Sequence, residues 1–434
     1  MTPPLLDATA SEADQSRIAG ALARRGLHTG DRLALSLPGS ITYLSVVLGA
    51  LRTGIVPAPL DPRLTAYERE RILADIVPAL LIEDQAELES LTAGPPVELA
   101  PFPLARPMHM TSGTTGRPKG VWSGILSPLH AAALVAEERE LWGFTESDVN
   151  LVVSPIYHSA PLRFAMGTLL AGGSVAVMDH FDAEEFVASV DGLRPTTMFC
   201  VPAHLQRLFA WLDENGHDFD PSCFRLVTHA GAPCPDPIRL RAHKVFGVDV
   251  VWEFYGSTEG QFTACPAPEW QAHRGTLGQA RPGRVVSADE QGLLWCEVPA
   301  HARFEYWNDP VKTAGAWEGS AFTVGDLGRV EDGYVYLNSR REDLIISGGV
   351  NVYPAEVEAA LADATGLTDV AVFARPDEKW GQKVCAAYVG DVALDELRAL
   401  AEERLAPPKR PKEYLRLEAL PRTATGKVRR TDLG

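Results

Sequence analysis

Between Met110 and Val121 the chain reads Met-Thr-Ser-Gly-Thr-Thr-Gly-Arg-Pro-Lys-Gly-Val, twelve positions holding three glycines, three threonines, a serine and a lysine. Glycine lets a backbone wrap closely, hydroxyls donate hydrogen bonds, and the lysine adds one mobile positive charge. Such a loop turns successive N–H groups toward an anion. The composition therefore predicts a cradle for a polyphosphate, with a nucleoside triphosphate as ligand. The phosphate loop of nucleoside triphosphatases has Gly-Lys followed by Ser or Thr. Here Lys119 follows Pro118 and precedes Gly120, so the cradle is of another kind. A second group, Glu253-Phe-Tyr-Gly-Ser-Thr-Glu-Gly260, follows an apolar run at 248–252 that reads as a strand. Open α/β sheets bind ligands beyond the carboxyl ends of their strands, where this acid and these hydroxyls would stand.

Holding such loops in place takes a large scaffold, and 434 residues exceed what one core usually encloses, so two or more domains are expected. Residues 31–60 alternate as strand, helix, strand, a βαβ unit. The alternation recurs with a strand at 150–154, a helix at 161–171, a strand at 174–178, a helix from Ala183 and a strand at 197–200. This order predicts an α/β fold with a large N-terminal domain of helix-covered, mostly parallel sheets. After Gly275 the texture shifts to short strands and turns, such as 293–298 and 333–337, which suggests a smaller β-rich subdomain. Pro354, followed by Glu356 and Glu358, makes a good helix start, and 369–373 and 383–389 read as strands. A small α+β C-terminal module follows from these, with 406–412 as an extended connector.

A hydrophobic fraction of 46% and a charged fraction of 22% are those of a soluble globular protein. No apolar run reaches the 18 or so residues that span a bilayer. The first residues, Met1-Thr-Pro-Pro-Leu-Leu-Asp, show neither a basic nor an apolar leader region, so a cytoplasmic location is expected. Six well-separated cysteines without zinc spacing read as reduced, buried thiols. A formal charge of −17 speaks against nucleic acid or anionic lipid as partner. The basic stretch from Lys409 to Arg430 reads either as a solvated face or as a tail guiding anions toward a site.

Taken in order, these segments resemble the signatures of the adenylate-forming superfamily, which contains acyl-CoA synthetases, aryl-CoA ligases, luciferases and peptide-synthetase adenylation domains. The resemblance implies that Thr111, Ser112, Gly113, Thr114, Thr115, Gly116 and Lys119 hold the phosphates of ATP. It also implies that Tyr255 and Gly256 lie beside adenine, Thr258 on phosphate and Glu259 on Mg²⁺. Magnesium commonly takes one or two carboxylates and completes its shell with water and phosphate oxygens, which suits a single acid. Thr323-Val-Gly-Asp-Leu327 places Asp326 to accept from ribose hydroxyls, although Val324 stands where the family usually has threonine. Ala230-Gly-Ala-Pro233 is similar to the adenine-side loop, with Gly231, Ala232 and Pro233 as nucleotide contacts.

The long run from Ser339 to Glu358 is similar to the hinge and Gly-Gly segment of acyl- and aryl-CoA ligases, with Ser339 in a position commonly glycine. By that likeness Arg340 reaches ribose or phosphate, Glu342 is the hinge of a mobile domain spanning 342–434 after an N-terminal domain spanning 1–341, and Ser347, Gly348 and Gly349 line a CoA tunnel. Pro421-Arg-Thr-Ala-Thr-Gly-Lys-Val-Arg-Arg430 matches the closing motif, making Lys427 the catalytic lysine. Pro155-Ile-Tyr-His-Ser-Ala-Pro161 resembles the segment that gates the carboxylate pocket, with His158 as gate and Phe164, Gly231, Tyr255 and Gly256 nearby. No aspartate stands in that segment to hold an amino acid's ammonium.

The expected activity is that of an AMP-forming acid–thiol ligase using ATP, Mg²⁺ and coenzyme A, with a fatty, aryl or polyketide-like acid as substrate. Two alternatives stand beside it: an adenylating enzyme that loads a carrier protein, and a degenerate nucleotide-binding protein without catalysis.

Overall fold

The computed structural model describes residues 2–111, 119–216, 219–232, 234–339, 345–421, 428 and 430–434, the side chains of 338, 339, 355 and 431 excepted. Contacts divide the chain into two units that interleave in sequence. One comprises Met1–Pro62, Val77–Met110 and Gly120–Asn338, the other Arg63–Ile76, Thr111–Lys119 and Ser339–Gly434. The expected domain boundary at 341/342 lies outside the described residues.

The first unit is built on a ten-stranded sheet whose centre runs Ser174–Val177, Val149–Val152, Thr197–Cys200, Leu226–His229, Val251–Glu253. These five strands are parallel. Parallel strands are covered on both faces, so their side chains alternate between two apolar layers. Leu151, Met198, Val227 and Val251 pack with Phe186, Phe209 and Phe246 on one side. Phe199 and Leu226 pack with Trp142, Phe144, Phe164 and Phe254 on the other. The sequence over 31–60 folds as expected, with Ile41–Leu51 crossing between the parallel strands Arg32–Leu35 and Val56–Pro59. Ser40 caps that helix by accepting from the Tyr43 N–H at 3.1 Å. Beyond Gly275 an antiparallel sheet of Val285–Ala288, Leu294–Glu297, Ala321–Phe322 and Trp317–Glu318 closes over Phe304 and Phe322, the expected β-rich part.

The strand expected at 248–252 begins later, at Val251–Glu253. Gly247, at a φ of 102°, ends the helix Asp236–Phe246, and the Val250 N–H bonds back to its carbonyl at 3.2 Å, so 248–250 turn before pairing starts.

In the second unit the antiparallel pair Leu367–Asp377 and Gly381–Gly390 is extended, along the free edge of Gly381–Gly390, by the hairpin Ile345–Ser347 and Val350–Val352 and by Glu413–Arg416, which pairs in parallel. Helices Pro354–Leu361 and Leu394–Arg404 cover it through Val357, Leu361 and Leu397. The helix Ala66–Ile76 belongs to this unit and starts with a capping box: Glu68 N–H donates to Thr65 Oγ1 at 3.3 Å while Thr65 N–H donates to Glu68 Oε2 at 3.0 Å.

Two expectations for the C-terminal stretch need correction. The connector at 406–412 contains a 3-10 turn, Pro407–Lys409. Lys409 itself is neither a solvated charge nor part of a guiding tail. Its Nζ is buried between Glu356 Oε1 at 2.6 Å and Glu68 Oε1 at 3.2 Å. Buried Lys needs such partners, and two carboxylates hold its pKa above the ordinary lysine value despite the opposing effect of burial. The cysteines are all unpaired, and burial raises each thiol, to about 12 for Cys234, Cys265 and Cys296. No helix among the described residues is long and apolar enough to cross a membrane.

Candidate active site

Four adjacent parallel strands, Val149–Val152, Thr197–Cys200, Leu226–His229 and Val251–Glu253, end on one edge of the large sheet. The chain leaving three of them carries His158, then Gly231 and Ala232, then Tyr255 to Glu259. This is the carboxyl edge on which open α/β sheets bind ligands. Its base is stiffened by a buried ion pair the sequence did not disclose. Arg239 grips both oxygens of Glu253, and His229 pairs with Glu253 across the strands. Burial holds His229 down at about 3 and raises Glu253.

His158 is exposed at the N-cap of the helix Ser159–Leu170, its ring 4.7 Å from that of Tyr157. Behind it, buried His109 places Nδ1 3.0 Å from the Tyr157 carbonyl. A carbonyl only accepts, so this Nδ1 carries the hydrogen. Burial pushes His109 down to about 4 and keeps it neutral near pH 7. Phe164, expected in the substrate pocket, is 1% exposed and packed among Trp142, Phe144, Phe199 and Phe254, so it backs the wall of the site. Gly231 sits at a φ of 86°, a conformation that side-chain-bearing residues rarely adopt.

Tyr255 and Asp326 meet directly: the phenol donates to Asp326 Oδ2 at 2.6 Å. Asp326 follows a turn set by Gly325, at a φ of 81°, whose N–H donates to Thr323 Oγ1 at 2.9 Å. Thr323 thus supplies a hydroxyl to the turn although Val324 cannot. Glu259 is 6% exposed, and its Oε1 accepts from the Tyr306 hydroxyl at 2.7 Å. Its backbone carbonyl accepts from Arg106 Nη1 at 3.2 Å. Tyr306 and Arg106 are site residues that sequence reasoning missed. They lie 47 and 153 positions from Glu259 and outside any glycine- or hydroxyl-rich run. With one Glu259 oxygen held by Tyr306, the carboxylate is fixed in orientation. No cluster of three or more His, Cys, Asp and Glu forms a protein cage for a metal among the described residues.

In the second unit, Thr111 Oγ1 donates to the Lys119 carbonyl at 3.2 Å, and buried Lys119 extends its Nζ to within 3.4 Å of Asp75 Oδ1. The Gly348-Gly349 pair forms a hairpin turn with φ values of 58° and 80°, as tight two-residue hairpins require. Gly348 N–H donates to the Trp380 carbonyl at 2.9 Å, and a Cβ there would stand 2.8 Å from the Trp380 ring. Beside the turn, Ser347 is fully buried with an unpartnered Oγ. The remaining expected site residues, Ser112, Gly113, Thr114, Thr115, Gly116, Pro233, Arg340, Glu342 and Lys427, lie outside the described residues.

The model of the AMP-binding enzyme family matches residues 10–102 and 107–299, and that of the AMP-binding enzyme C-terminal domain matches 356–427. A 2-succinylbenzoate–CoA ligase of Geobacillus sp. (strain WCH70) is 31% identical over 95% of this chain and 89% of its own length. The fatty acid–[acyl-carrier-protein] ligase ScoC of Streptomyces coeruleorubidus is 30% identical over 97% of this chain and 89% of its own. Among solved structures, a double mutant of o-succinylbenzoate CoA synthetase (MenE) from Bacillus subtilis, bound with its product analogue OSB-NCoA, superposes with a TM-score of 0.88. It is 25% identical, covering 98% of this chain and 92% of that one. With both family models matched in order and similarity running over nearly the whole length, the protein belongs to the AMP-binding enzyme family and carries that family's C-terminal domain.

Proposed function

We propose that the protein is a cytoplasmic, ATP-dependent carboxylic acid:CoA ligase. The observation that carries the reading is the pairing of Tyr255 with Asp326, together with the oriented carboxylate of Glu259, where Tyr255 and Glu259 follow the carboxyl end of the parallel strand Val251–Glu253. Six unpaired cysteines accord with a reducing compartment.

In the first half-reaction a substrate carboxylate oxygen attacks the α-phosphorus of ATP, the bond to the bridging β-oxygen breaks, and pyrophosphate leaves. In the second, the CoA sulfur attacks the acyl carbon, the acyl–phosphate C–O bond breaks, and AMP departs as the thiol proton passes to solvent. No protein nucleophile is needed, so catalysis rests on positioning and charge stabilisation. Bringing a carboxylate to a triphosphate sets like charges together. At about 4 Å and an effective dielectric near 20, each unit pair repels by about 4 kcal/mol. Lys427 and Lys119 are the cations assigned to reverse that repulsion. Asp326 keeps one carboxylate oxygen beyond the bond from Tyr255 and is assigned to the ribose diol. Glu259 would hold Mg²⁺, which supplies charge neutralisation at the phosphates. His158 is assigned as gate, Glu342 as hinge, and Ser347, Gly348 and Gly349 as the lining of the thiol path.

A second reading, transfer to a carrier protein, draws support from the likeness to ScoC. Free CoA decides between them: with ATP, an accepted acid and no carrier, a CoA thioester should accumulate. Lys427→Ala should abolish acid-dependent pyrophosphate exchange while sparing thioester formation from a preformed acyl-adenylate. Equal loss of both half-reactions would overturn the assignment of Lys427, and an absence of thioester with free CoA would overturn CoA as acceptor.

A further inference from the structure

On the strength of the ligase reading, we infer that the acid activated here bears a second anionic group, and that Arg163 receives it. Arg163 lies on the helix Ser159–Leu170, the one that His158 caps. Its guanidinium lies 5.3 Å from the centroid of the Phe254 ring and 5.9 Å from that of Phe164, and the side chain is 23% exposed. It thus lies against the ring of Phe254, the residue before Tyr255 in the chain, and is not a remote surface charge.

Among the described residues the neighbourhood holds four guanidiniums, of Arg106, Arg163, Arg281 and Arg284, against three carboxylates, of Glu137, Glu138 and Glu259. Arg281 takes Glu138 at 2.9 Å, and Arg284 takes Glu137 at 2.9 Å, with His301 on the same carboxylate at 2.7 Å. Those two acids are thereby committed. Arg163 keeps only a long contact to Glu138, 3.4 Å, and its buried Nε has no hydrogen-bond partner. Arg106 donates to two carbonyls, of Glu259 and Arg303, and has no carboxylate partner among the described residues. Burial, with Arg284 and Arg163 among its neighbours, brings Arg106 down to about 10, still charged near pH 7. Arg163, Arg281 and Arg284 therefore share Glu137 and Glu138, while Glu259, the acid whose charge acts on Arg106, is held by Tyr306 and assigned to Mg²⁺. Unpaired charge in a buried setting is costly, and an anion completing the set relieves it. Beyond the Nη1 bond to Glu138, the Arg163 guanidinium, planar and backed by aromatic rings, is of the type that suits a carboxylate.

The anion has two possible sources, the far end of the acyl group or a phosphate of ATP; the helix of His158 favours the acyl group. Non-hydrolysable acyl-adenylate mimics with a terminal carboxylate or a terminal methyl on the same chain distinguish the tips without turnover. The carboxylate-tipped compound should bind about 10- to 100-fold tighter, the range expected for hydrogen bonds to a charged group. Arg163→Gln should reduce that preference to near unity, and Arg163→Lys should keep part of it. Equal or tighter binding of the methyl-tipped compound to the unsubstituted enzyme overturns the inference. So does a rise in KM for MgATP in Arg163→Gln with the tip preference unchanged, since the guanidinium would then serve phosphate. The ligase reading is judged separately: it fails if neither monoacids nor α,ω-diacids of four to ten carbons release pyrophosphate, while the binding comparison still decides the tip.

Discussion

Replacing Tyr306 with phenylalanine removes a single oxygen, and that oxygen lies 2.7 Å from Glu259 Oε1. Both residues are buried, and the Lys312 ammonium lies 3.8 Å from the centroid of the Tyr306 ring, a contact the phenylalanine keeps. The substitution therefore removes the bond to Glu259 while keeping the ring. A hydrogen bond to a charged group contributes about 1.5–3 kcal/mol, and deleting the donor leaves a buried carboxylate oxygen unsatisfied. In the free protein this appears as lost stability of the first unit. In catalysis it appears as loss of the orientation that readies Glu259 for Mg²⁺. The same interval corresponds to a factor of about 10 to 150 in an equilibrium constant. The assay is acid-dependent pyrophosphate release as Mg²⁺ is varied at fixed ATP. The variant should need about ten times more Mg²⁺ for half-maximal rate, or show a comparably lower rate at saturation, with KM for the acid little changed. An unchanged Mg²⁺ dependence and rate would refute the idea that Tyr306 orients a metal ligand, leaving it a packing residue.

Three further outcomes follow from the geometry. Gly349 occupies a φ of 80° with open space where a Cβ would stand, so Gly349→Leu should keep pyrophosphate exchange and lose thioester formation; survival of both rates would exclude the thiol path there. Lys409→Met leaves Glu68 and Glu356 facing each other without their cation, which should destabilise the second unit by about 3–5 kcal/mol in denaturant unfolding. Restoration by adding Glu68→Gln and Glu356→Gln would confirm the cause, and an unchanged unfolding midpoint in the single variant would dismiss it. His109 and His204 are lowered to about 4 and His229 to about 3 by burial. The unfolded chain takes up protons near the ordinary histidine value, about 6.5, where the folded one does not. Their contribution is therefore complete above that value and is lost as pH falls from it toward 4. Stability measured from pH 7 to 5 should decline, and a flat profile would contradict neutral burial of these rings.

Where function resides in short contiguous runs, the sequence was informative. Tyr255 and Asp326 were singled out separately, and the fold brings the two together. The residues that hold the site in shape were not legible, because their partners are distant in the chain and ordinary in type. Tyr306 is one tyrosine among ten, and nothing local marks it as the donor to Glu259. Arg106, Arg163, Arg281 and Arg284 are dispersed over nearly two hundred positions. Their shared surplus of charge exists only after the sheet has formed. Lys409 was misread for the same reason, as a stretch rich in Lys and Arg looks like surface until Glu68 and Glu356 are seen around it. The delayed strand after Gly247 has a local cause: Val248 and Val250 supplied apolar texture to what is a turn.

Glu68 divides its carboxylate between tasks, one oxygen capping the helix Ala66–Ile76 and the other receiving Lys409, 341 positions later. During synthesis that helix leaves the ribosome long before its cation exists. Until Lys409 is made, the early segment relies on local contacts such as its capping box, and an isolated helix of eleven residues is marginal in water. Completion of the second unit thus waits on the synthesis of Lys409, and a transcript cut short upstream of Pro407 yields a segment deprived of its counter-charge.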